Sequence, residues 1–314
     1  MSKGKILITP RSLSRDGHPY FSNLTERGYE VVYCEPGIIP DEATLTELVP
    51  GCVGWLAGVE PVSASVLEAA DSLKVISRNG TGIDNLPMET LVQKGIALKK
   101  AEGANARGVA ELAIAMMLAG LRHIPETAAG VKKGDWPRVI GREIQGKTVG
   151  VIGMGAIGSQ VAQMVTGLGA RVKAYDPLLK GRMILGDHLT FVSQPELLST
   201  SDIITFHCPA PQNGKAVLDS KSIETLKDGV VVINTARAAL VDHNAVYNGL
   251  LNNKIALYGA DVFPTEPPKP HPLWQHSRCI ATSHIGGFTR ESVDKATVSA
   301  VDQLLEVLEG LSDG

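Results

Sequence analysis

The chain of 314 residues is 44% hydrophobic, 20% charged and 4% aromatic, and its 30 Lys and Arg against 33 Asp and Glu give a formal charge of −3. That composition excludes a disordered chain and a collagen-like repeat, and it offers no broad electrostatic footprint for nucleic acid or an anionic membrane. The length suggests about two domains.

The longest apolar stretch, Leu112 to Leu121, has ten residues, whereas about 20 are needed to cross a bilayer. The apolar core near Met1 to Pro10 is too short for a signal peptide. Cys34, Cys52, Cys208 and Cys279 form no C-x-x-C pair, so they read as ordinary buried thiols of a reduced, cytoplasmic protein.

Short β-rich runs alternate with helical ones along the whole chain. Strands are predicted at Lys5 to Thr9, Glu30 to Tyr33, Val53 to Leu56 and Val75 to Ser77, with helices such as Asp41 to Leu48 and Ala64 to Ala70 between them. A long helix is predicted from Ala104 to about His123, ending near Pro125, with Met116 and Met117 as core filler. After an irregular stretch holding Trp136, Pro137 and Arg138, a second series of strands follows: Thr148 to Ile152, Arg171 to Tyr175, Ile203 to His207, Val230 to Asn234, Ala256 to Asp261 and Cys279 to Thr282. A helix from Ser292 to Leu308 closes the chain. The pattern implies an α/β fold of two doubly wound parallel-sheet units.

Gly153-Met154-Gly155-Ala156-Ile157-Gly158 follows an apolar strand and opens a helix. In a dinucleotide-binding turn the first glycine allows the tight bend, the second lets the backbone approach a pyrophosphate, and the third packs helix on strand. The N–H groups of the helix start, at Ala156 and Ile157, then face the phosphates. Asp176 ends the next strand, where an acid hydrogen-bonds ribose hydroxyls and repels a 2′-phosphate, so the expected cofactor is NAD. Pro209, Thr235, Ala236, Asp261 and Gly287 are counted with the cofactor contacts, and His207 marks a strand end near them.

Arg237, Glu266 and His284 each follow a successive strand of the same series. An imidazole can take a hydroxyl proton in one direction and return it in the other. A carboxylate beside it fixes the ring and stabilises its charged form. A guanidinium holds a carboxylate bidentately while polarising a carbonyl oxygen. Together they suit hydride exchange at a carbinol carbon that bears a carboxylate.

With these motifs in order, the sequence resembles the D-isomer-specific 2-hydroxyacid dehydrogenase family, most closely its phosphoglycerate dehydrogenase-like branch, over nearly the whole chain. The resemblance implies that Arg237, Glu266 and His284 are the catalytic residues. It also implies a Rossmann NAD-binding domain at residues 102–289, inserted in a flavodoxin-like substrate-binding domain made of residues 1–101 and 290–314, with a cleft that closes over substrate. Asn79 and Gly80, in the run Asn79 to Asn85, match the substrate loop, where backbone N–H groups bind the substrate carboxylate. Dimer contacts are expected from about residue 102 to 142, giving a homodimer. Arg78 and Arg138 match arginines that face a substrate phosphate, while Ala57 stands where a third is usual and Ala238 replaces the glycine after the motif Arg.

The expected substrate is a small anionic 2-hydroxy or 2-keto acid, with 3-phosphoglycerate in the lead. Glyoxylate or hydroxypyruvate reduction is the alternative, and an NAD-sensing binding protein is the rival of another class. The end at Gly314 is read as leaving no room for an appended regulatory domain. No metal, nucleic acid or membrane partner is expected.

Overall fold

The structure is a computed structural model that describes residues 2–179, 188–211 and 213–310. The chain divides into two compact units, Met1–Asn105 with Thr289–Gly314, and Ala106–Phe288.

In the first unit the order is β1 (Lys5–Ile8), α1 (Arg11–Asp16), α2 (Ser22–Glu26), β2 (Glu30–Tyr33), α3 (Glu42–Leu48), β3 (Cys52–Ala57), α4 (Ala64–Ala69), β4 (Val75–Arg78), α5 (Met88–Gln93) and β5 (Ala97–Lys100). Helices α3 and α4 start where a short side chain replaces a missing backbone acceptor. Asp41 accepts from the Thr44 N–H ahead of α3, and Ser63 from the Val66 N–H ahead of α4. The strands pair in parallel in the order β2-β1-β3-β4-β5, a flavodoxin-like order that reverses between β1 and β3. Leu7, Trp55 and Ile76 fill one face of this sheet. Ile6, Leu56 and Val75 fill the other, under the unit's last helix.

The second unit runs α6 (Ala106–Leu121), α7 (Ile124–Lys132), β6 (Thr148–Ile152), α8 (Ala156–Gly167), β7 (Arg171–Tyr175), β8 (Leu189–Phe191), α9 (Gln194–Thr200), β9 (Ile203–Phe206), α10 (Ser220–Glu224), β10 (Val230–Asn234), α11 (His243–Leu251), β11 (Ile255–Ala260), α12 (Pro272–Gln275) and β12 (Cys279–Ala281). Afterwards α13 (Arg290–Gly310) returns to the first unit. Among the described residues the second sheet is parallel in the order β12-β11-β10-β9-β6-β7-β8. This is the doubly wound order, reversing between β6 and β9. Strand β10, Val-Val-Val-Ile-Asn, is buried throughout, as a central parallel strand covered on both faces must be. Met116 and Met117 do fill core, packed with Val149, Val161 and Ile233.

Three details differ from the pattern reading. The long helix stops at Leu121, because His123 takes a left-handed φ of 53° and α7 leaves at 67° to α6. Pro125 therefore lies inside the first turn of the next helix, where its missing N–H costs nothing. Strands β5 and β8 lack an apolar run, since both sit at sheet edges and are only partly covered. Of the cysteines, Cys34 and Cys52 are buried, whereas Cys208 and Cys279 are partly exposed, and all four are free.

Candidate active site

Loops leaving the carboxyl ends of β6, β7, β9, β10, β11 and β12 carry the chemistry of the second unit. The glycine turn comes first. Gly153 has a φ of 93°, and a Cβ there would lie 2.5 Å from the His207 carbonyl oxygen. A Cβ on Gly158 would lie 1.9 Å from the Gly153 oxygen, so α8 can approach β6 only without a side chain at that position. Gly155 differs: nothing lies within 4 Å of its would-be Cβ, and it caps α8 with no side-chain cap.

The turn thus keeps an open face toward the first-turn N–H groups of Ala156, Ile157 and Gly158, which have no acceptor within the helix. Asp176, at the end of β7, lies against the same turn, with Oδ2 accepting from the Met154 N–H at 2.8 Å and Oδ1 from the Leu178 N–H at 2.9 Å. Across the reversal point, Thr235 Oγ1 and His207 Nδ1 are buried with no partner among the described residues. Burial pushes His207 down to about 3, so its imidazole is neutral. An open glycine turn, an uncapped helix start and orphaned polar atoms on one edge fit NAD.

The imidazole and carboxylate predicted from the sequence are in contact, with His284 Nδ1 2.7 Å from Glu266 Oε2. The Phe263 N–H donates to the other oxygen, Oε1, at 3.3 Å. The Glu266 hydrogen bond holds His284 above the usual imidazole range, against the opposing effect of burial. Burial pushes Glu266 up, but the His284 hydrogen bond and charge, the Phe263 N–H and the Arg237 charge together bring it below the usual carboxylate range. Arg237 acts electrostatically on both partners. Its Nη1 also donates to the Ala236 carbonyl at 2.8 Å.

Other residues set this geometry without being marked by the sequence pattern. Asn234, fully buried at the end of β10, donates from Nδ2 to the Arg237 carbonyl at 2.9 Å and accepts on Oδ1 from the Ala236 N–H at 3.1 Å. Its only sequence signal is that of a turn-forming residue closing a strand. His284 itself has a φ of 55°, sparsely populated for a side chain of its size.

The loop that imposes this φ is tied to Asp261, whose carboxylate accepts from the Thr282 hydroxyl at 2.6 Å and from the Ile285 and Gly286 N–H groups at 2.8 Å each. Asp261, expected among the cofactor contacts, accepts from the His284 loop with both oxygens of its buried carboxylate. The glycine that packs tightly is Gly286, with a would-be Cβ 2.9 Å from Asp261 Oδ2. Its neighbour Gly287, the expected contact, is only partly buried. Pro209 is exposed, and Arg138 lies exposed in the loop before β6.

In the first unit, Asn79 and Gly80 follow β4, and the Asn79 N–H is taken up by the Ala57 carbonyl at 2.8 Å. Gly80 has a φ of 152°, and Arg78 is buried, with Nη1 donating to the Asn79 carbonyl at 3.3 Å.

Residues 114–286 match the model of the D-isomer specific 2-hydroxyacid dehydrogenase NAD binding domain. The chain is 37% identical over 253 residues to a D-3-phosphoglycerate dehydrogenase of Archaeoglobus fulgidus, a match covering 80% of this chain and 48% of that protein. It is 35% identical over 252 residues to a hydroxypyruvate reductase of Thermotoga maritima, covering 79% of this chain and 81% of that one. The chain spans about half the length of the phosphoglycerate dehydrogenases it matches. Among solved structures, the TT0316 protein of Thermus thermophilus superposes with a TM-score of 0.87 at 32% identity, covering 98% of this chain and 97% of that one. The motif order, the two sheet topologies and these matches agree: the chain belongs to the D-isomer specific 2-hydroxyacid dehydrogenase family.

Proposed function

We propose that the protein interconverts a D-2-hydroxy acid and its 2-oxo acid with NAD, and that 3-phosphoglycerate is its leading substrate. The observation that carries the reading is the His284–Glu266 contact of 2.7 Å, at the edge of a dinucleotide fold and within the field of Arg237. Bound NAD supplies the acceptor for the hydride that leaves C2.

His284 Nε2 takes the C2 hydroxyl proton during oxidation and returns it during reduction. Glu266 on Nδ1 fixes the ring and balances the imidazolium that forms. Arg237 holds the substrate carboxylate and polarises the oxygen on C2. Within the first unit, the turn at Arg78, Asn79 and Gly80 is taken by itself as a candidate anion-binding turn.

Reduction of hydroxypyruvate or glyoxylate is the second reading. The buried Ala57, standing where a phosphate-facing arginine is usual, favours it. A homodimer goes with the proposal. Trp136 and Ile140 expose 81% and 95% of their surface on the segment after α7, a cost that a partner surface would remove. A cytoplasmic setting, with free thiols and an NAD pool, completes it.

NADH absorbance with 3-phosphoglycerate, D-glycerate and D-lactate, and NADH consumption with hydroxypyruvate and glyoxylate, tests the reading. Turnover abolished by His284→Ala is the expected result. Tight NAD binding without turnover on any of these acids would replace the enzyme with a sensor.

A further inference from the structure

Glu266, the partner of His284, stands in a run of chain that the second unit hardly covers. Residues 264–270 are all exposed, and Pro264, Pro267, Pro268 and Pro270 lie among them. A proline has no N–H, so none of these four can donate a backbone hydrogen bond to tie the loop down. The covered residue next to this run is Phe263, which is partly buried and follows the buried Val262. Its N–H donates to Glu266 Oε1 at 3.3 Å, while His284 Nδ1 lies 2.7 Å from Oε2.

The Phe263 ring meets the Trp274 indole edge to face, with centroids 4.9 Å apart and planes at 76°. Aromatic pairs favour this geometry, and it adds to the area they bury. Trp274 is on α12, a short helix that is held on several sides. Its neighbour Leu273 is fully buried and packs in one core with Val246 of α11 and Tyr258 of β11. His271 caps the helix, Nδ1 accepting from the Leu273 N–H at 3.1 Å, and its Nε2 lies 3.1 Å from Asn244 Oδ1 on α11. The Trp274 indole also meets the ring of His243, the first residue of α11, with centroids 5.0 Å apart.

We propose that Trp274 is a positioning residue for the Glu266–His284 pair, anchoring the proline-rich loop to α11 and α12 through the Phe263 ring. The inference rests on the dehydrogenase reading above. Proline fixes its own φ, so Pro264 and Pro267 leave the short link between Phe263 and Glu266 little freedom to absorb a shift. Movement of Phe263 is therefore passed on to the carboxylate. Asp261 and Arg237 also act on His284, and each is held by other bonds. The Asp261 carboxylate is bound by Thr282, Ile285 and Gly286, and the Arg237 carbonyl by Asn234. Loss of the indole thus bears on the Glu266 side of His284.

The test compares wild type, Trp274→Leu and Trp274→Phe as whole chains. The His284 titration is followed by NMR of protein carrying carbon-13 at histidine Cε1, with the resonance assigned from its loss in His284→Gln. In Trp274→Leu the midpoint should fall toward the unperturbed value of about 6.5, because a loosened Glu266 no longer holds the proton on the ring. For whichever of 3-phosphoglycerate and D-glycerate wild type oxidises faster, kcat should drop about tenfold and KM should change by less than about twofold. Trp274→Phe keeps an aromatic partner for Phe263 and should restore both readings. A purely structural role would lower the melting temperature of Trp274→Leu and leave the His284 midpoint in place, and that result overturns the proposal. Should Trp274→Leu fail to fold, Phe263→Leu breaks the same ring pair from the loop side, keeps the backbone N–H and carries the same expectation. If folded wild type turns over no 2-hydroxy acid, the dehydrogenase reading fails, and the His284 midpoint still decides whether Trp274 positions Glu266.

Discussion

His284 is held by a carboxylate on one side and by its own backbone on the other. Glu266 raises the proton affinity of the ring, and the loop clamped by Asp261 keeps its φ at 55°. Oxidation needs the neutral imidazole, so its kcat/KM should rise with pH through an apparent pKa above the unperturbed value of about 6.5. Reduction, which needs the imidazolium, should fall through the same value. Glu266→Gln keeps the shape and removes the charge that raises His284, so the midpoint should move to lower pH while kcat drops by about a hundredfold.

A pH–rate profile of the two proteins checks this, and a midpoint that stays put would release Glu266 from the role. Stability has its own signs. The raised His284 pKa contributes below about 6.5 and its contribution is lost as pH climbs through the raised value. The lowered Glu266 pKa contributes above the ordinary carboxylate range and is lost as pH falls through the depressed value. The pair therefore supports the fold most in the mildly acidic window between them. Both side chains are well exposed, at 47% and 39%, so this support is small next to the catalytic effect.

At the scale of an element, the strand–turn–helix of β6 and α8 separates what a glycine does for the fold from what it does for a ligand. A methyl on Gly158 meets backbone at 1.9 Å, and no side-chain rotation can relieve it. Gly158→Ala should therefore destabilise by about 1–3 kcal/mol and lose NAD together with the fold. Gly155 has an ordinary φ of −72° and empty space around its would-be Cβ. Gly155→Ala should melt within a few degrees of wild type yet bind NADH at least about tenfold more weakly, because the methyl occupies the space the pyrophosphate needs. Thermal melts paired with NADH fluorescence titrations decide it, and a Gly155→Ala protein with wild-type affinity would move the phosphates elsewhere.

This turn was legible in the sequence because its chemistry is local: strand, three glycines, helix and a terminal acid within one stretch of chain. The order of Arg237, Glu266 and His284 was legible for a related reason, since each simply follows a strand. What the pattern does not show depends on partners distant in sequence. Asp261 serves a loop more than 20 residues on, and Glu60 bonds to Thr9 51 positions earlier. Strand β5, Ala-Leu-Lys-Lys, has no apolar run to mark it, because it lies at the sheet edge and is only partly covered along its length.

One doubly wound unit is inserted in another, so the first unit depends on a helix that follows the insertion. On α13, Val301, Leu304, Leu305 and Leu308 are each at most 7% exposed and pack with Ile6, Ile8, Leu56 and Val75. Gln303 ties the same helix to β4 and β5 by accepting from the Ser77 hydroxyl at 3.0 Å and donating to the Lys100 carbonyl at 3.0 Å. At roughly 1.5–3 kcal/mol per buried aliphatic side chain, those four contribute about 6–12 kcal/mol as an upper estimate. That is comparable to the entire stability of a domain, about 5–15 kcal/mol.

A chain ended after Phe288 should therefore lose the first unit as a folded body. The second unit carries its own core around Val149, Val151, Ile233 and Met117, and it should survive with its NAD turn intact. Hydrogen exchange should show unprotected amides in β3 and β4 beside protected ones in β6 and β10. NADH should still bind with a Kd within about threefold of the whole chain's. The isolated fragment 106–288 should behave like the second half of that truncated protein. Protection retained in β3 and β4 would mean that α13 is dispensable to the first unit. Loss of NADH binding by the fragment would mean that the NAD fold is not self-sufficient and that the two units fold as one.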